Sequence, residues 1–171
     1  VGTVVSGTIK QGRLQAGKEL LLGPDASGGF KKVKATSIEM HYHRLSEADA
    51  GLVVGIAIRG IRHEEIERGM ILCEEQLKPK AVKSFEAEIL VLHHPTRIAN
   101  GYEPIIHLST VAETAKVKLL DKSYMKAGET GKVEFMFKYR AAYLDVGEKF
   151  VFREGKTKGI GTVTKILKYA S

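Results

Sequence analysis

The stretch Lys132-Val133-Glu134-Phe135-Met136-Phe137-Lys138-Tyr139-Arg140 decides the fold class. Val133, Phe135, Phe137 and Tyr139 fall on alternate positions and most of the residues between them are charged, so the run reads as a strand with one apolar face. The same period recurs in Ala87, Ile89 and Val91, and in Ala115, Val117 and Leu119 set against Lys116 and Lys118. Turn pairs such as Gln11-Gly12, Ala16-Gly17, Gly28-Gly29, Ala50-Gly51, Ala127-Gly128 and Val146-Gly147 punctuate these runs. Short strands at that spacing predict barrels or sandwiches. Helical character is confined to Arg62–Gly69, a turn or two ending at Gly69. Lys78-Pro79-Lys80 stands near the midpoint, and Pro79 lacks the donor a ladder needs, which places a domain joint there. The expected architecture is all-β, two consecutive small β-barrels over residues 1–79 and 80–171.

Of the 171 residues, 43% are hydrophobic and 27% charged, the balance of a folded chain. Lys and Arg number 27 against 20 Asp and Glu, a net charge of +7 that suits a polyanionic partner, nucleic acid ahead of an anionic membrane. Cys73 is the single cysteine, so an intrachain disulfide and a CxxC metal knuckle are excluded and a reducing, cytoplasmic setting is expected. The apolar run Gly51–Ile58 is too short to span a bilayer as a helix, so no membrane partner is expected. The chain starts at Val1 inside a strand-like run, which predicts a piece of a longer protein. His41 and His43, two apart on a strand, would share a face, whereas the adjacent His93 and His94 would face oppositely; no metal site is expected from them.

Two segments concentrate functional residue types. In Phe150–Val163, two strand-like runs flank a segment rich in glycine and positive charge. Glycine there lets the backbone approach a ligand, and Lys156 and Lys158 supply charge suited to phosphate. In the first half, Gly2-Thr3-Val4-Val5-Ser6-Gly7-Thr8-Ile9 is followed by Ser37-Ile38-Glu39-Met40-His41, Ala50-Gly51, Val54-Gly55, Arg59-Gly60 and Glu65-Ile66-Glu67-Arg68-Gly69. The sequence contains no Gly-x-x-x-x-Gly-Lys-[Ser/Thr] loop, Gly-x-Ser-x-Gly elbow or His-Glu-x-x-His pair, and no catalytic residue is nominated.

The first-half motifs, in that order and spacing, resemble the second domain of translational GTPases of the elongation factor Tu and elongation factor 1-alpha family. Leu92-His93-His94-Pro95-Thr96-Arg97-Ile98, Asn100-Gly101-Tyr102-Glu103-Pro104 and the Phe150–Gly161 hairpin resemble its third domain, closest to the GTP-binding protein 1-like branch. The resemblance covers Gly2 to Leu167. It implies that Glu39 helps hold the terminal adenosine of aminoacyl-tRNA, with Gly51, Gly55 and Ala57 around that pocket. As residues, the two glycines fit a bulge or barrel corner equally well. It further implies tRNA backbone contacts from Arg140, Arg153, Glu154, Gly155, Lys156 and Lys158. GTP and Mg²⁺ would belong to a missing N-terminal GTPase domain, with no cofactor in this stretch. Aminoacyl-tRNA, the ribosome and that GTPase domain are the implied partners of a monomer. A rescue or release-type GTPase, or an RNA-surveillance scaffold with a protein partner, remains open on the same fold. Glu103 departs from the family, where factor Tu carries arginine after Gly-Tyr; a carboxylate there would repel phosphate, so either tRNA sits differently or another residue, such as Arg97, takes over.

Overall fold

The computed structural model describes residues 2–170, which form sixteen strands and two short 3-10 turns. By contacts the chain divides into two compact units. The first comprises Val1–Gly23, Phe30–Glu67 and Ile71–Pro79, and the second Pro24–Gly29, Arg68–Met70 and Lys80–Ser171.

In the first unit the strands are β1 (Thr3–Thr8), β2 (Arg13–Gln15), β3 (Glu19–Gly23), β4 (Lys31–Met40), β5 (His43–Leu45), β6 (Glu47–Asp49), β7 (Val53–Arg59) and β8 (Ile71–Cys73). Their main sheet runs β1-β7-β4-β3-β8, with β5 also paired to β4, and β2 pairs with β6 in a separate ribbon. Alternate residues Leu20, Leu22, Val33, Ala35, Val54, Ile56 and Ile58 are buried, and Ile38 joins them after a bulge between Ala35 and Ser37. That extra residue resets the alternation, so Glu39 faces outward.

The second unit holds β9 (Val82–His93), β10 (Ile98–Ala99), β11 (Ile105–Leu108), β12 (Val111–Leu119), β13 (Tyr124–Met125), β14 (Thr130–Phe137), β15 (Lys149–Glu154) and β16 (Thr157–Tyr169). Six of them close a barrel in the order β11-β12-β14-β9-β16-β15. Its interior holds the alternating residues read from the sequence, Ala87, Ile89, Val91, Ala115, Val117, Leu119, Val133, Phe135 and Phe137. At the centre, Phe85 lies 5.6 Å from Phe135 and, edge-on, 5.7 Å from Phe150, the offset geometry aromatic quadrupoles favour.

Two expectations change. Tyr139 is 72% exposed, because the chain leaves the ladder after Phe137 and the period-two rule ends with it. The helical stretch reduces to one 3-10 turn, His63–Glu65, closed by the Glu65 carboxylate accepting from the Arg62 N–H at 2.9 Å; Ile66 is already extended, so nothing propagates to Gly69.

Candidate nucleic-acid interface

In the first unit, ladder register decides which residues share a surface. Ser6, Gly55 and Glu39 lie opposite one another across β1, β7 and β4, and Val4, Ala57 and Ser37 form the next row. Strands sit ~4.8 Å apart, so these six residues tile one small patch of the outer face. Glu39 is exposed at its margin, and at Gly55 the absent side chain leaves the surface open: a Cβ would meet only Val4 Cγ1 and the Glu39 carbonyl, both at 3.9 Å. The patch thus sets an exposed apolar side chain at Val4 and an acceptor at Glu39 on either side of a position without a side chain. Glu39, Gly55 and Ala57 are therefore brought together. Gly51 is not in the rows; it occupies the turn before β7 at φ 97, its N–H donating to the Ile9 carbonyl.

The paired-histidine reading of this region does not hold. Met40 and His43 face each other across a two-residue hairpin loop, with His41 at φ 49 and Tyr42 at φ 66. His41 is thus a turn residue, and shares no strand face with His43. Among the described residues, no group of three or more His, Cys, Asp or Glu is arranged to hold a metal ion.

The Arg153–Lys158 segment of the second unit is a tight hairpin instead of a broad loop. Glu154 pairs with Thr157, leaving only Gly155 and Lys156 in the turn, with Gly155 at φ 56. Glycine at the first central position is what a type II′ turn requires. Gly159 and Gly161, read from sequence as ligand-approach glycines, are strand residues opposite Phe152 and Phe150. Each leaves room for a ring: a Cβ on Gly159 would stand 2.6 Å from Phe152 Cε2, and one on Gly161 2.9 Å from Phe150 Cε1. Their role is packing. Arg153, Glu154, Gly155, Lys156 and Lys158 are exposed together at the tip.

A network missed in the sequence supports that tip. Buried Thr157 bonds His94 Nδ1, and His94 packs edge-on against Tyr102 with centroids 5.5 Å apart. The Tyr102 hydroxyl donates to Glu154 at 3.3 Å, and burial pushes its phenol pKa up. The cue was the conjunction of His93-His94-Pro95-Thr96 with Gly101-Tyr102, but only folding brings both to Thr157.

Arg140 stands apart from the hairpin. The ladder links Arg153 to Ile105 and Ile105 to Thr114, and Thr114 accepts from the Lys138 N–H. Arg140 therefore lies three strands around the barrel from Arg153, and its Nη2 donates to the Pro24 carbonyl at 3.0 Å. Glu103 is not a lone carboxylate. Lys138 Nζ sits 2.7 Å and Lys116 Nζ 3.7 Å from it, and the Lys138 hydrogen bond holds its carboxyl below the usual range. The trio carries two positive charges against one negative, a net +1, so the position is not repulsive to phosphate. Arg97 stacks over Tyr124 with its guanidinium carbon 4.9 Å from the ring centroid. Cys73 is half-buried, and burial raises its thiol pKa, which makes it a poor nucleophile. No helix of the described residues is long and apolar enough to cross a membrane.

Comparison with known families matches residues 2–73 to the family described as Elongation factor Tu domain 2, and residues 78–167 to the Elongation factor Tu C-terminal domain. GTP-binding protein 1 of Xenopus laevis is 38% identical over 167 residues, covering 98% of this chain and 26% of that protein. GTP-binding protein 2 of Homo sapiens is 35% identical over 167 residues, 97% of this chain and 28% of that protein. Elongation factor 1-alpha of Cenarchaeum symbiosum (strain A) is 33% identical over 153 residues, 90% of this chain and 33% of that protein. The chain thus spans about a quarter to a third of the length of these relatives.

Proposed function

Because the chain belongs to the elongation factor Tu and elongation factor 1-alpha family of translational GTPases, and consists of that family's second and third β-barrel domains, we propose that it holds aminoacyl-tRNA when its GTPase domain carries GTP. Residues 1–79 take the aminoacyl end and residues 80–171 the acceptor and T stem. The observation that carries this reading is the outer-face patch in which exposed Glu39 stands beside the side-chain-free Gly55 and small Ala57. A carboxylate accepts from ribose hydroxyls, and a position without a side chain admits a base. The exposed hairpin Arg153–Lys158 adds cations and a glycine turn that reads backbone shape and leaves sequence unread, as a carrier of many tRNAs needs. Arg140, whose Nη2 donates to the Pro24 carbonyl, would join the contact from a separate part of the barrel.

GTP and Mg²⁺ have their chemistry in the GTPase domain, and this chain's own residues bind and orient. Movement of that domain against the barrels completes or breaks the tRNA site. The ribosome is the further partner, and the protein works as a cytoplasmic monomer.

The test is the rate of aminoacyl-ester hydrolysis with the GTPase-containing protein and a non-hydrolysable GTP analogue, wild type against Glu39→Ala. Protection by the wild type and its loss in the variant are expected. Absence of protection by either protein, at concentrations where uncharged tRNA still binds, rejects the carrier and leaves a rescue factor or an RNA-surveillance scaffold.

A further inference from the structure

At the end of β16 opposite the Gly155–Lys156 turn, an open groove of about 240 Å³ is lined by Lys83, Tyr139, Lys168 and Tyr169 over a floor of small residues that includes Ser27 and Ala141. Register brings these parts together: Tyr169 pairs with Val82, Lys168 with Ser84, and Val82 bridges Ala142. Tyr139 is 72% and Tyr169 49% exposed, so neither ring owes its place to core packing. Each ring has a cation against it. Lys138 Nζ lies 5.3 Å from the Tyr139 centroid and Lys80 Nζ 5.6 Å from that of Tyr169. Lys83 is fixed in place by donating to the Phe137 carbonyl at 2.8 Å, which leaves two of its ammonium protons for another acceptor. No carboxylate is among the lining residues.

We propose that this groove is a second nucleic-acid site, which binds single-stranded RNA by stacking one base on Tyr139 and another on Tyr169 and taking the flanking phosphates on Lys83 and Lys168. The volume falls below the ~300 Å³ of pockets that enclose a small molecule, and the openness suits a strand passing through. Two exposed aromatic rings among lysines form the pattern of stacking platforms in a cationic channel. A phosphate-only ligand would have no use for the rings, and an apolar one no use for the lysines. The site does not rest on the tRNA reading, whose hairpin lies at the other end of β16; of the tRNA candidates only Arg140, between Tyr139 and Ala141, borders the groove.

The probes are a fluorescein-labelled 12-mer of adenylate, an abasic strand with the same backbone, and an RNA duplex. Tyr139→Ala and Tyr169→Ala are each expected to weaken the adenylate strand by about 5- to 150-fold, the range of one lost stacked base. Lys168→Ala should flatten the slope of log affinity against log salt by about 0.7. The abasic strand and the duplex should bind more weakly and be indifferent to the tyrosine variants. Should an alanine variant misfold, Tyr→Phe must retain affinity. The chain has no tryptophan, so wild-type tyrosine emission must be quenched by the adenylate strand and not by the abasic one. Equal binding of the two strands, tyrosine variants within twofold of wild type, or loss of binding only in Lys156→Glu would overturn the proposal; the last would assign the strand to the hairpin.

Discussion

Replacing Gly159 by alanine tests how the second barrel accommodates its aromatic core. Gly159 faces Phe152 across β15 and β16, and the added methyl would stand 2.6 Å from Cε2, with the remaining ring edge still nearer. Moving Cε2 alone to an ordinary 3.4 Å contact requires a shift of about 0.8 Å. Phe152 is 1% exposed and 6.1 Å from Phe135, so the ring cannot retreat into solvent. Overpacking of this kind costs about 1–3 kcal/mol. The gain from replacing a strand glycine, roughly 0.5–1 kcal/mol, offsets only part. Because three ring atoms clash at once, the cost falls in the upper part of that range, about 2–3 kcal/mol, and a net loss of about 1–2.5 kcal/mol is expected, or some 4–20 °C in Tm for a unit near 100 residues. The decisive assay is a double-mutant cycle with Phe152→Ala in urea, followed by circular dichroism. Phe152→Ala alone should cost about 3–5 kcal/mol, and Gly159→Ala should become neutral or favourable in its background. Additive costs, or a single Gly159→Ala within 0.5 kcal/mol of wild type, would refute the packing account.

Three further outcomes follow from local geometry. Tyr42 is fully exposed at φ 66, so Tyr42→Gly loses no packing and relieves left-handed strain, raising stability by about 1 kcal/mol; a fall in the urea midpoint would contradict this. Thr157→Val leaves His94 without its buried hydroxyl partner and is expected to cost about 1–3 kcal/mol, where Ser retains most of it; equal stability of the Val and Ser variants would argue against the bond. The Glu103 carboxyl, held down by the Lys138 hydrogen bond, should titrate by carbon NMR below the ordinary glutamate range and move upward in Lys138→Met. Because the folded value is the lower one, the stabilisation from this pair is present above the unfolded pKa. It disappears as pH falls through the folded pKa. A midpoint unchanged by Lys138→Met would refute the pairing.

The sequence by itself determined the fold class and most of the core. Alternation at Val133, Phe135 and Phe137 is a local property of the extended chain, since successive side chains point to opposite faces whatever the partner strand. Family motifs likewise marked Glu39 and the Arg153–Lys158 segment, because motif order is carried along the chain. Registers and turns were decided by the tertiary structure. Tyr139 obeyed the pattern but lay past the end of its strand, and the His41–His43 pair fell into a hairpin because Met40 and His43 close it. Gly159 and Gly161 looked like a ligand loop until the ladder set them against two phenyl rings. Only the register across β1, β7 and β4 places Gly55 beside Glu39, and only the barrel's closure moves Arg140 away from Arg153 while bringing Lys138 to Glu103. Side-chain direction repeats every two residues and can be read locally. Adjacency across strands depends on which chain segments pair and at what offset, information that resides in the balance of all long-range contacts together.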